Sequence, residues 1–329
     1  ETSATDKRIK NLKGQLIEIN KLSAKYYVDQ LQQDKTIKSY LYKRNFNDEM
    51  IKLFQLGYSD KSSSNLLPYL QKKDFSSESM KKSGLFIDGK NGYFDRFISR
   101  LIFPITDKNG DIIAFAGRDL SNKENTAKYI NSIETPIYNK SKTFYGLNLA
   151  KEFIRKEKFI IIVEGYFDLI RLYQNNIKNV IAISGTSFTD MHASIIKQYS
   201  KNIIIAFDGD SAGKKAAIRT GYTLLRSLIN PKILTIPAGM DPDDWVENKG
   251  TTPFKEAIKE SKTVIDFNYN FLKLEKNNDI NIIIEDIIIE ICAIEDPVFR
   301  EITVKHLSEV VNISTESILM TLNNKLFKK

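Results

Sequence analysis

Two stretches decide the fold: Phe159-Ile160-Ile161-Ile162-Val163-Glu164-Gly165 and Ile203-Ile204-Ile205-Ala206-Phe207-Asp208-Gly209-Asp210. Each is an unbroken apolar run, largely β-branched, that ends on an acid beside a glycine. Such runs suit strands covered on both faces. Two more lie nearby, Val180–Ile183 and Ile233–Ile236. Helical patterns at Tyr166–Asn175, Asp190–Tyr199 and Ala212–Leu228 separate the four. Strand and helix in alternation predict a parallel sheet with crossover helices.

In open parallel sheets the carboxyl ends of the strands face the ligand. Glu164 falls at one such tip, and Asp208 and Asp210 fall at another. The fourth run leads to Asp241, Asp243 and Asp244, and Asp168 stands one helical turn past Glu164. Gathered carboxylates repel one another, so a cation is the simplest reason to collect them. Oxygen donors with no Cys or His nearby favour Mg²⁺ or Mn²⁺. Two such ions would suit in-line displacement at a triphosphate. A single Asp after a strand is commonly a cap or turn former, and Asp190 reads as one. Three acidic tips on one sheet point instead to metal. Gly213-Lys214 is not a phosphate loop of the Walker type, because Asp208 stands where its first glycine belongs. Lys214 and Lys215 face either phosphate or solvent. Gly185-Thr186-Ser187 is either an anion cradle or a plain turn.

Working outward, residues 7–57 carry apolar positions at helical spacing, with Leu12, Leu16, Ile19, Leu22, Tyr26 and Leu31 on one stripe. Tyr40, Leu41, Met50, Ile51 and Phe54 form a second stripe. A turn-rich stretch, Gly57 to Ser64, precedes a further helical piece. Ile102–Ile105, the turn Asp107–Gly110 and Ile112–Gly117 read as an antiparallel hairpin, and residues 121–145 are polar and irregular. From 253 onward the pattern is helical, with a long amphipathic stretch at 280–294 and an N-cap at Ser314.

The chain has 329 residues, 42% hydrophobic and 27% charged, a globular balance with material for two or three domains. Its apolar runs fall short of a membrane span. One cysteine, Cys292, and two histidines, His192 and His306, leave no internal disulfide and almost no zinc site. The net charge of +8 is uneven: residues 1–157 hold 28 basic and 19 acidic residues, and the remainder is nearly balanced. A basic half suggests an anionic partner or simply a solvated lysine surface.

The motifs Glu164-Gly165-Tyr166-Phe167-Asp168, Asp208-Gly209-Asp210-Ser211-Ala212-Gly213 and Asp241-Pro242-Asp243 resemble the Toprim signature of primases, topoisomerases and some nucleases. Asp95-Arg96-Phe97, Arg100–Ile105, Gly117-Arg118, Lys128–Ser132 and Phe144–Leu147 are similar to the bacterial replicative primases of the DnaG type. That resemblance covers nearly the whole chain and is strongest from 93 to 245. It implies an α/β fold, α+β overall. A Toprim-like parallel sheet flanked by helices would occupy 140–252, after a mixed α/β basic subdomain at 1–139 and before a small helical bundle at 253–329.

The resemblance implies a DNA primase core, a DNA-directed RNA polymerase making short RNA primers on single-stranded DNA from NTPs during replication. Glu164, Asp208 and Asp210 would hold the catalytic Mg²⁺, with Mn²⁺ able to substitute, and Asp168, Asp241 and Asp243 would complete the acidic site. Arg96, Arg100, Arg118, Lys128, Asn131 and Lys140 match positions lining a basic groove for template phosphates and triphosphate. Tyr129 either stacks on a base or packs in the core. Ile98 stands where many relatives carry a third arginine. Expected partners are single-stranded DNA, NTPs, an RNA–DNA primer duplex and a replicative helicase. A C-terminal domain absent here would reach the helicase. The start at Glu1 and the lack of zinc ligands fit an excised core without zinc; the single cysteine fits a reducing cytoplasm, and a monomer is expected. A Toprim nuclease or topoisomerase lacks its further domain here, and a non-enzymatic single-strand or nucleotide-binding module is the third reading.

Overall fold

The computed structural model describes residues 4–61, 65–89, 92–121, 126–276 and 279–326, with side chains of the first helix from residue 11 onward. Residues 62–64 of the expected turn, 122–125 of the irregular stretch and the side chains of 7–10 lie outside the described residues. The chain divides into two compact units, Glu1–Leu149 and Ala150–Lys329.

The first unit opens with α1 (Ala4–Gln33), α2 (Lys35–Lys43) and α3 (Asp48–Leu53). Asp34 caps α2 by accepting from the Thr36 and Ile37 N–H groups, and Asn47 caps α3 through the Met50 N–H. The α1 stripe is real but shifted in detail: Leu16, Ile19 and Leu31 are buried, as is Tyr27 rather than Tyr26. Tyr27 meets Phe115 edge-on at 5.6 Å. The Asn20 amide donates to the Ile112 carbonyl at 3.2 Å, tying the helix to the sheet beneath.

The following elements are β1 (Gly57–Ser59), α4 (Leu66–Gln71), α5 (Ser77–Lys82), the hairpin β2 (Phe86–Gly89) and β3 (Gly92–Asp95), β4 (Arg100–Thr106), β5 (Ile112–Asp119) and β6 (Tyr129–Asn131). An antiparallel sheet runs in the order β1-β4-β5-β6. The expected β4–β5 hairpin closes on Asp107, whose carboxylate accepts from the Asn109 and Gly110 N–H groups at 2.8 and 2.9 Å. Pro104 is tolerated inside β4 because β1 pairs only with residues 100–102, so no ladder bond is lost.

The second unit is entered along α6 (Leu147–Glu157). It contains β7 (Ile160–Val163), α7 (Tyr166–Gln174), β8 (Val180–Ala182), α8 (Asp190–Ile196), β9 (Ile203–Ile205), α9 (Ser211–Arg226), β10 (Lys232–Ile233), α10 (Pro242–Lys249), α11 (Thr251–Lys259), β11 (Lys262–Thr263) and α12 (Val264–Glu275). The sheet order is β11-β10-β9-β7-β8. The four expected strands are parallel, and β11 adds an antiparallel edge. The ladder of the fourth run is shorter than the apolar pattern suggested. It begins at Lys232, although the Leu234 N–H still reaches the Ile205 carbonyl at 2.9 Å. Chain order and strand order diverge at β7: the chain leaves to β8 on one side and returns to β9 on the other. This is a topological switch point, where open parallel sheets bind ligands.

One cap differs from expectation. Thr189, not Asp190, caps α8 by accepting from the His192 N–H at 3.2 Å, and Asp190 sits in the first turn. The remainder is α13 (Ile280–Cys292), α14 (Pro297–Val311) and α15 (Thr315–Leu326). Ile283, Ile287, Ile288 and Ile291 of α13 are buried, as are Val304 and Leu307 of α14 and Ile318 and Leu322 of α15, two helices that α13 packs with. Ser314 accepts from the Ser317 N–H at 3.2 Å, as a cap does. Among the described residues, no helix is long and apolar enough to cross a membrane.

Candidate active site

Glu164 and Asp208 meet at the switch point. β7 and β9 run side by side with Ile162 opposite Ile205, so their tips emerge together. The Asp208 N–H points at Glu164 Oε1, 3.4 Å away. Gly209 and Gly213 explain why glycine flanks these acids. A Cβ on Gly209 would lie 2.1 Å from the Pro237 carbonyl oxygen, and one on Gly213 would lie 2.4 Å from that of Asp208. Three backbone segments are thereby pressed around Asp208. Gly209→Ala must push the β9 and β10 tips apart, so an equilibrium unfolding titration should show a loss of about 1–3 kcal/mol.

The other acids are placed by helix ends. Asp210 caps α9 through the Gly213 N–H at 2.7 Å, and Asp241 caps α10 through the Asp244 N–H at 2.6 Å. Asp168 is buried; its Oδ2 accepts from the Gly165 N–H at 2.9 Å and its Oδ1 from the Asp243 N–H at 3.3 Å. Asp243 is also buried and accepts from Arg171 Nε at 2.6 Å. Arg171 also pairs with Glu247. Arg171 was not expected from sequence, since it sits among apolar residues on α7 and its partner lies 72 positions away.

The electrostatics are those of crowded carboxylates. Burial pushes the Glu164 carboxyl up, and Asp210 adds to this; the Asp208 N–H and Arg219 oppose it. Asp168 is pushed well up by burial, then by Asp241, Asp208 and Asp243. Among the described residues, no three acidic, His or Cys side chains already surround one point closely enough to hold an ion. Repulsion and the competing caps account for this, because each carboxylate turns to an N–H or to Arg171. The donor set nevertheless fits a hard divalent cation: oxygen ligands only, on adjacent strand tips, with charge that a cation would relieve. The Glu164–Asp208 contact is set by the strands themselves. Asp210 would have to exchange its cap for an ion. Asn caps as well as Asp does, so Asp210→Asn should keep stability within roughly 0.5 kcal/mol, whereas Asp210→Ala should lose about 1 kcal/mol. Thermal unfolding of the two variants side by side checks this.

In the first unit, the expected basic residues other than Lys140 cluster on one end of the β4-β5-β6 sheet. Arg118 pairs with Tyr129 across the β5–β6 ladder; its guanidinium donates to the Tyr129 hydroxyl at 3.0 Å and lies 5.5 Å from the ring centre. Tyr129 also tilts against Phe103 at 6.2 Å. Arg96 Nε donates to the Asn131 carbonyl at 3.0 Å. Arg100 is only 7% exposed and gives one nitrogen to the carbonyls of Gly117 and Ala127, both at 3.0 Å. Burial disfavours charge on both Arg96 and Arg100. Lys128 is exposed just before β6. Lys140 stands apart in a 3₁₀ turn, where its N–H donates to Glu134.

Two family profiles match the chain: DNA primase catalytic core, N-terminal domain, over residues 26–151, and Toprim-like over 161–246. A DNA primase of Listeria innocua is 33% identical over 99% of this chain and 52% of its own length. One of Clostridium acetobutylicum is 33% identical over 92% and 51%. The chain thus spans about half the length of the curated relatives it matches. Among solved structures, a DNA primase domain from Pseudomonas aeruginosa superposes with a TM-score of 0.83 at 29% identity, covering 94% of this chain and 99% of that one. The Aquifex aeolicus primase, with its zinc-binding and RNA polymerase domains, gives 0.82 at 28% identity over 94% and 75%. Both profiles, the relatives and the superposed cores lead to one assignment: the chain belongs to the DnaG-type bacterial primase family, of which it carries the catalytic-core and Toprim-like parts.

Proposed function

We propose that this chain is a nucleotidyltransferase core that builds short RNA primers on single-stranded DNA from NTPs during replication. The observation that carries this reading is Glu164 beside Asp208 at the switch point of a Toprim-like sheet. Related primase catalytic domains have been solved with single-stranded DNA and with duplex DNA bound, which supports both as ligands here. In the reaction, the 3′-hydroxyl oxygen attacks the α-phosphorus and its proton leaves to solvent. The bond from that phosphorus to the β-phosphate oxygen breaks, and pyrophosphate departs with the electron pair.

Toprim domains typically use divalent metals, and Mg²⁺ is the ion proposed here, with Mn²⁺ as substitute. Glu164, Asp208 and Asp210 would hold it; bound there, it would offset the charge that develops on the phosphoryl oxygens. Asp168 and Asp243, committed to the Gly165 N–H and to Arg171, would fix the strand tip and the α10 end. Asp241 would add negative charge beside them. Arg96, Arg118, Lys128, Asn131 and Lys140 would meet phosphates. Arg100 would hold the β5–β6 end in shape, and Tyr129, half-buried with Arg118 and Phe103 against its ring, is the residue proposed to meet a base. The division 1–139, 140–252 and 253–329 is proposed as basic subdomain, metal domain and helical buttress. A monomer acting in the cytoplasm beside a replicative helicase completes the proposal.

Incubating the chain with single-stranded template, NTPs and Mg²⁺ or Mn²⁺ should yield short, template-complementary RNA that disappears with chelator. Loss of the template strand instead would indicate a nuclease. Among the described residues no three carboxylates gather round one point, and this favours one other reading, a non-catalytic single-strand binder. That reading requires salt-sensitive binding with no metal-dependent product in the same assay.

A further inference from the structure

A cavity of about 570 Å³ opens behind Glu164 inside the second unit. Its wall includes Thr186, Ser187, Arg219, Arg226 and Glu290 as well as Glu164 itself. Apart from Glu164, the primer-synthesis chemistry above gives its lining no role. The Gly185-Thr186-Ser187 turn lines the cavity together with Glu164, and the Ser184 N–H just before it donates to the Glu164 backbone carbonyl at 3.0 Å. The Thr186 hydroxyl donates backward to the Ile183 carbonyl at 3.1 Å. Thr186 and Ser187 both line the space.

The two arginines, both on α9, are in different states. Arg226 is anchored: it donates to the Thr223 hydroxyl at 2.9 Å and pairs with Glu290 at 3.4 Å. Arg219 is exposed and, among the described residues, forms no ion pair, yet it is near enough to Glu164 to favour the ionised carboxylate. The charges therefore balance as they stand, Glu164 and Glu290 against Arg219 and Arg226. Neutralising Glu164 leaves the cavity net positive, with guanidinium and hydroxyl groups of the kind that bind phosphoryl oxygens.

We propose that this cavity is a pyrophosphate subsite, built around Arg219, that becomes receptive when Glu164 is neutralised by a bound divalent cation. The identity of the ligand rests on the proposed nucleotidyl transfer, whose leaving group appears next to Glu164. The same chemistry describes free pyrophosphate and the β,γ-phosphates of an NTP not yet cleaved. The coupling to Glu164 makes a metal-free test possible, since Glu164→Gln removes the opposing charge without any ion.

The test is calorimetric titration of inorganic pyrophosphate into the full chain in chelator-treated buffer. Glu164→Gln should bind at least about tenfold more tightly than the unsubstituted chain, the size expected for removing one opposing charge from the cavity that Arg219 lines. Glu164→Gln with Arg219→Gln should lose that gain. Equal binding with and without Arg219, or no gain from Glu164→Gln, overturns the proposal. So does a loss that affects a single-stranded oligonucleotide and leaves pyrophosphate untouched. A non-hydrolysable NTP run in parallel separates the two sources. A loss confined to pyrophosphate assigns the subsite to the leaving group; an equal loss for both assigns it to the attached β,γ-phosphates. Primer synthesis by the unsubstituted chain is scored separately. Failure of synthesis with this binding pattern intact sinks the enzymatic reading alone, and synthesis without the binding pattern sinks the subsite alone.

Discussion

Asp208→Asn is expected to reduce metal-dependent RNA synthesis by about 10²–10³-fold or more, while far-UV circular dichroism stays that of the unsubstituted chain. Asn has nearly the same shape, so the crowded strand tip that Gly209 and Gly213 permit is kept. The backbone N–H that faces Glu164 is kept as well. What is lost is one anionic oxygen pair at the junction of β7 and β9. Charge stabilisation in phosphoryl transfer depends on that charge, so the loss should fall on kcat far more than on template binding. Template-directed incorporation of labelled NTP, measured with filter binding of the same oligonucleotide, gives both numbers. Undiminished synthesis by this variant would remove Asp208 from the reaction.

Arg171→Met should produce the largest loss of stability of any single change considered for the second unit. The Arg171 side chain is 3% exposed and that of Asp243 is 2% exposed, and they meet at 2.6 Å. Met roughly fills the space but leaves Asp243 buried without its counter-charge. Removing one partner of such a pair costs about 3–5 kcal/mol. For a unit of this size that corresponds to a fall in midpoint of roughly ten degrees. Adding Asp243→Asn should restore much of it, because the uncompensated charge is then gone as well. Scanning calorimetry of the single and double variants decides the matter. A midpoint unchanged by Arg171→Met would mean that this pair does not hold α7 to α10. The effect should reach chemistry too, since the Asp243 N–H contacts Asp168, which in turn holds Gly165 next to Glu164.

The parts of this fold that were legible share a cause. β7, β8 and β9 are buried on both faces and therefore written as unbroken apolar runs, and their acidic tips follow in sequence. The β4–β5 hairpin was legible because Asp107 and Gly110 carry the turn chemistry locally. What stayed hidden depends on distant partners. β1 lies in a turn-rich stretch and is a strand only because it pairs with β4. β11 has two residues and no periodicity, and exists because β10 would otherwise be a bare edge. Tyr27 outranks Tyr26 in burial because Phe115 and Gly57 approach that side of α1.

The same division runs through the candidate site. The acids were found by their place after strands, but their present partners were not. Capping by Asp210 and Asp241 is a local signal that could have been read from the helix starts behind them. The Arg171–Asp243 pair and the Arg219 cavity are tertiary, visible only once α7, α9 and α10 are assembled. Arg100 looked like a phosphate ligand by position, and its burial against two carbonyls could not be seen before β5 and residue 127 were in place.

Direct titration of Mn²⁺, followed by electron paramagnetic resonance of the free ion, tests the central claim without needing turnover. The unsubstituted chain should take up the ion, more so with NTP present, and Glu164→Gln and Asp208→Asn should each weaken uptake by at least about tenfold. Equal Mn²⁺ uptake by all three proteins would contradict a cation held at the joined tips of β7 and β9.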